Sequence, residues 1–128
     1  MRFLLDTHAL LWFIGGDSRL STRARAAIED INNTRLFSIA CLWELGIKVS
    51  AGKLNLSQPF KEFVTGQLSI NSIMLLDVEP DHINEVVALP YHHRDPFDRL
   101  LIAQAIVEQI PIVSVDSIFD SYPITRLW

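Results

Sequence analysis

With 128 residues, 49% of them apolar and 20% charged, the chain suits one globular domain around one core; it is too short for a second domain and too apolar for a disordered chain. No apolar run reaches membrane-spanning length, and the lone Cys41 excludes a disulfide framework or a thiolate zinc site within one chain. The net charge of −4 argues against a nucleic-acid binder, which is usually basic.

The opening MRFLLDTHALLWFIGG is interrupted by Asp6 and His8 and lacks a small-residue cleavage site. It therefore reads as structure and not as a signal peptide, which places the protein in the cytoplasm. Residues 2–5 (RFLL) form a first strand ending at Asp6. Ala9 to Ile14 is a short helix closed by Gly15-Gly16. Ser21 is an N-cap for a helix over about 22–31, and Arg35 to Ile39 is a second strand. From Ala40 to Val49 the apolar residues recur at helical spacing, and Gly52 ends that helix. A helix over Gln58 to Leu68 precedes a third strand at Ile73 to Leu76. Pro80 opens a helix reaching about Leu89. Asp95-Pro96 starts the helix that continues as FDRLLIAQAIVEQ, Pro111 stops it, and Ile112 to Val115 is a fourth strand ending at Asp116. Strands alternating with helices, without period-2 polarity, imply a parallel sheet covered on both faces.

In open α/β sheets ligands bind beyond the carboxyl ends of the strands. Asp6 and Asp116 stand at such ends, although either could equally cap the helical turn that follows it. Glu44 sits between Trp43 and Leu45 in an apolar helix, where an acid is rare unless paired or metal-bound. The alternative is an exposed edge with Lys48 as its partner at i+4. Asp98 lies in the first turn after Pro96, a place the helix dipole already favours for an acid. Asp95 is the N-cap and takes no part in the chemistry, and Asp120 belongs at the rim. Several carboxylates without thiolates suit a hard divalent cation such as Mg²⁺ or Mn²⁺, which also relieves their mutual repulsion. Setting Asp6, Glu44, Asp98 and Asp116 aside leaves eleven acids against eleven Lys and Arg, so the rest of the chain is balanced. His92 and His93 are adjacent and not readily aimed at one metal; with His8 and His82 they read as surface or loop histidines. There is no glycine-rich phosphate loop and no GxSxG elbow.

The segments LLDTHALLW, LWELGIKVSAGKL, HRDPFDRLLIAQA and PIVSVD, in this order and spacing, resemble the PIN-domain family over essentially the whole chain. They look closest to the VapC-type toxins of bacterial toxin–antitoxin pairs. The resemblance implies one PIN-like α/β/α sandwich over residues 1–128. It places the family's four acids on Asp6, Glu44, Asp98 and Asp116, with Ser114 and Thr7 as accompanying hydroxyls. His8 stands where many members carry Asn. The implied activity is an endoribonuclease that uses Mg²⁺ or Mn²⁺. Its implied partners are RNA, a small antitoxin and a second copy of the chain in a homodimer. Asp6 and Asp98 would be the principal metal ligands, with Glu44 and Asp116 holding a second ion or positioning water. Thr7, Ser114 and Arg99 would contact substrate. Lys48, Lys53, Arg94 and Arg99 flank these blocks and could contact phosphates, with ordinary surface charge the equal alternative.

Two other classes compete. A non-catalytic protein of the same fold that binds RNA or an antitoxin is disfavoured by the intact acid set. A phosphoacceptor receiver domain would want a lysine at a later strand end, whereas lysine occurs only at 48, 53 and 61.

Overall fold

The computed structural model describes all residues from 1 to 128. Five parallel strands form one sheet in the order β3-β2-β1-β4-β5: β1 is Arg2–Leu5, β2 Thr34–Ser38, β3 Met74–Leu76, β4 Ile112–Val113 and β5 Arg126–Leu127. Six helices flank the sheet: α1 (Thr7–Ile14), α2 (Thr22–Glu29), α3 (Ile39–Ser50), α4 (Phe60–Ile70), α5 (Pro80–Ala88) and α6 (Pro96–Glu108). This is the α/β/α sandwich that the alternating pattern implied. No helix is long and apolar enough to cross a membrane.

The central strand explains the continuous apolar run at the start of the chain. β1 is hydrogen-bonded on both edges, and Phe3, Leu4 and Leu5 are fully buried, so both of its faces need apolar side chains. Its neighbours enter from opposite directions in the chain. β2 pairs with β1 from Arg2↔Thr34 to Leu5↔Phe37, and β4 pairs at Leu4↔Ile112 and Leu5↔Val113. The strand order therefore reverses between β1 and β4, and the crevice outside their carboxyl ends is where a ligand site forms in such sheets.

Several boundaries differ from the sequence reading for local reasons. α1 starts at Thr7, two residues early, because Asp6 accepts a hydrogen bond from the Ala9 N–H (2.7 Å) and caps the helix. α4 starts only at Phe60, after Pro59. β4 stops at Val113 because the Ser114 hydroxyl accepts from the Asp116 N–H (3.0 Å) and turns the chain. β5, two residues long, had no pattern to announce it.

Candidate carboxylate site

Asp6 follows the last residue of β1 and is buried, with 8% of its surface exposed. Burial pushes its carboxyl above the ordinary range. Hydrogen bonds from Ser114 and from the Ala9 N–H oppose that shift, and nearby Glu44 adds to it. The capping and site readings of Asp6 are thus not alternatives, since the cap is what aims this acid across the end of the sheet. Asp116 shows the same duality. Its Oδ1 accepts from the Ile118 N–H (3.0 Å) at the start of a 3₁₀ turn over Ser117–Ser121. Its Oδ2 lies 3.0 Å from His93 Nε2.

Glu44 is brought in by α3, whose N-cap Ser38 is the last residue of β2. It makes no ion pair with Lys48; the Thr7 hydroxyl donates to Glu44 Oε1 at 2.7 Å. Thr7 is buried and engaged by Glu44, so it acts on the acid's position and not on substrate as expected. Ser114 is likewise fully buried, between Asp6 and the Asp116 N–H, which removes it too from direct contact with substrate.

Asp98 stands in the first turn of α6 behind the N-cap Asp95, whose Oδ1 accepts from the N–H groups of Phe97 (2.8 Å) and Asp98 (3.0 Å). Burial and the neighbouring Asp95 push the Asp98 carboxyl up to about 7; Glu44 and Asp6 add to the rise and His93 opposes it. The charges of Asp6 and Glu44 are felt at Asp98, and Asp98 and Asp116 meet at His93, so the four acids are neighbours; none makes an ion pair with Lys or Arg, although the charge of Asp116 reaches Arg126. Asp120, expected at the rim, accepts from Arg126 Nε (2.9 Å) and one of its terminal nitrogens (3.0 Å), which lower its pKa.

His93 was missed as a site residue. Its Nε2 lies 3.1 Å from Asp98 Oδ2 and 3.0 Å from Asp116 Oδ2, and its Nδ1 accepts from the Asp95 N–H (3.3 Å). With Nδ1 used as an acceptor, one Nε2–H serves two carboxylates, fewer hydrogens than they can accept. These three side chains also offer donor atoms within 4.8 Å of one another, close enough to share an ion. The adjacency of His92 and His93 was misleading because only one needs to face the acids; His92 packs edge-on against Tyr122 (5.2 Å). No local pattern separates the two.

Arg99 corrects a second expectation. It is buried, and its guanidinium donates to the carbonyls of Pro90, Val86 and Leu89 (2.9–3.2 Å) and, more weakly, His93 (3.4 Å), with its outer face against Tyr91. Its fork is spent on holding the turn that carries His93, so it is not free for a phosphate. Cys41 is buried, and burial raises its thiol pKa, which fits the inert apolar role expected of it.

Residues 3–124 match the family model described as PIN domain. The chain belongs to the PIN domain family. Two solved structures share the fold of this PIN domain. One is the VapBC2 complex of Rickettsia felis bound to a DNA fragment from its promoter, at 20% identity and TM-score 0.71, with all of both chains covered. The other is VapBC-1 of nontypeable Haemophilus influenzae, at 13% identity and TM-score 0.66, with 98% of this chain and 96% of that one covered. No curated protein matches this chain by sequence.

Proposed function

We propose that this single PIN domain is a metal-dependent endoribonuclease, the VapC-type toxin of a cytoplasmic toxin–antitoxin pair, with Asp6, Glu44, Asp98 and Asp116 as its working acids. The observation that carries the reading is a crevice of four carboxylates that contains no lysine or arginine partner. Such a cluster is costly to leave uncompensated, and the raised Asp98 carboxyl expresses that cost.

The donor set fits a hard divalent cation, Mg²⁺ or Mn²⁺: oxygen ligands predominate, and the one nitrogen, His93 Nε2, is a donor that Mn²⁺ tolerates well. Asp98 and Asp116, with Asp6 behind them, would hold the ion. When bound, it would offset the charge of the phosphate and of the developing oxyanion and make water more acidic. Glu44, fixed by the Thr7 hydroxyl, would orient the attacking water and take its proton. The Ser114 hydrogen bond to Asp6 and the Asp95 cap beneath Asp98 keep the acids in place, so little reorganisation is needed as charge develops. A small antitoxin partner is supported by the VapBC assemblies that share the fold, and a homodimer is proposed on the family resemblance.

Purified protein should cleave RNA with Mg²⁺ or Mn²⁺ and stop on chelation, while Asp6→Asn and Asp98→Asn fold normally and do not cut. Equal cleavage by all three proteins would mean a contaminant and would remove the assignment.

A further inference from the structure

We propose that the groove between α1 and the α3–α4 connection binds the single-stranded RNA segment next to the scissile phosphate. A base would stack on His8, with phosphates against Lys48 and Lys53. This rests on reading the carboxylate crevice as an RNA-cutting site.

The groove has a volume of about 690 Å³, and its rim includes His8, Trp12, Arg19, Lys48 and Lys53. Two of its residues stand near site acids along the chain. His8 lies two residues beyond Asp6. Lys48 stands four residues beyond Glu44 on the same face of α3, about 6 Å further along. Lys53 is fixed beside Lys48: its N–H donates to the Lys48 carbonyl (2.9 Å), with Gly52 in the left-handed region (φ 73°) that permits the reversal. Neither lysine makes an ion pair. The only acid on the groove wall, Asp17, is already paired with Arg19 (2.7 Å). On a chain of net charge −4, two cations without ion-pair partners on this groove offer a place for a phosphate backbone.

The aromatic component is equally ordered. Arg19 lies over the Trp12 ring (4.8 Å), and Trp128 meets its edge (5.9 Å). His8 packs on Trp12 at 5.5 Å with planes 34° apart, and is itself exposed. Trp12 is thus held from several sides, and the His8 ring beside it is open to solvent. Cationic side chains alongside an aromatic platform are how proteins hold single strands without reading their sequence. A double-stranded segment offers no free base face to such a platform.

The test is fluorescence anisotropy with a labelled single-stranded RNA of about 12 nucleotides in EDTA, titrated at several salt concentrations. The Lys48→Gln/Lys53→Gln double variant should flatten the slope of log K against log salt by about 1.4, the value for two lost phosphate contacts on a single strand. His8→Ala should weaken binding by about tenfold, the scale of one base–aromatic stack, and His8→Phe should restore it. Thermal melting of each variant checks that it is folded. An unchanged slope in the double variant, equal affinity in His8→Ala, or no binding by the wild type overturns the proposal and leaves the groove to a protein segment. Cleavage assayed separately in Mn²⁺ keeps the two readings apart. A wild type that binds through the groove but never cuts removes the nuclease reading and leaves the groove standing.

Discussion

Asp98→Asn is the most informative single perturbation, because the structure predicts that it stabilises the metal-free protein while destroying activity. The folded Asp98 carboxyl holds its proton up to about 7, against 3.8 for an ordinary aspartate. A rise of roughly three units corresponds to about 4 kcal/mol against the ionised form. Its side chain keeps 30% exposure, and solvent screening brings the expected figure down to about 1–2 kcal/mol. Because the folded state binds this proton more tightly than the unfolded chain, the associated stability is present below about pH 4. It is lost as pH rises towards 7. Asparagine keeps the shape and removes the charge. In EDTA at pH 8, Asp98→Asn should therefore melt roughly 4–8 °C above the wild type, and the gap should close towards pH 4. Adding Mn²⁺ should raise the melting temperature of the wild type and leave the variant unmoved. A gap that does not depend on pH, or a variant less stable than wild type at pH 8, would refute the claim that uncompensated charge is concentrated at this residue.

Other outcomes follow from the same geometry. Thr7→Val removes the hydroxyl on Glu44 without changing side-chain shape, and should cut RNA cleavage by about 10–100-fold with little change in melting; unchanged turnover would show that Glu44 needs no support. Arg99→Met orphans the carbonyls that its guanidinium now serves and should lower stability by about 3–5 kcal/mol in urea unfolding. A phosphate-binding Arg99 would instead leave the urea midpoint alone and weaken RNA binding. His93→Ala should weaken Mn²⁺ binding by about 10–100-fold in calorimetry, and an unaltered affinity would exclude His93 from the ion's surroundings.

What could be read from the sequence divides along physical lines. Strongly apolar or well-capped segments announced themselves: β1 because both faces are buried, α6 because Asp95 and Pro96 open it. Asp6 was legible because a polar residue directly after a buried strand has one place to go, whereas Asp116 stands three residues beyond the end of β4, past the turn made by Ser114. The strand order was beyond local pattern, since pairing β1 with β4 joins residues more than 100 positions apart. Side-chain partnerships were illegible for the same reason. Arg99 looked like a free cation until the 86–93 segment folded over it, and His93 looked like its neighbour His92 until the turn aimed only one of them at the acids. Glu44 drew notice by its apolar setting, but its hydrogen-bond partner, Thr7, comes from a different helix and not from Lys48 one turn away.

The reversal of strand order between β1 and β4 also governs when the crevice can exist during synthesis. Asp6 leaves the ribosome early, but the strand that supports Ser114 and presents Asp116 emerges more than 100 residues later, and Asp98 and His93 precede it only slightly. A nascent chain carries its first acid, and then its second at Glu44, through most of translation without a complete ion-binding pocket. Any property that needs all four acids together must therefore wait until the chain is nearly finished.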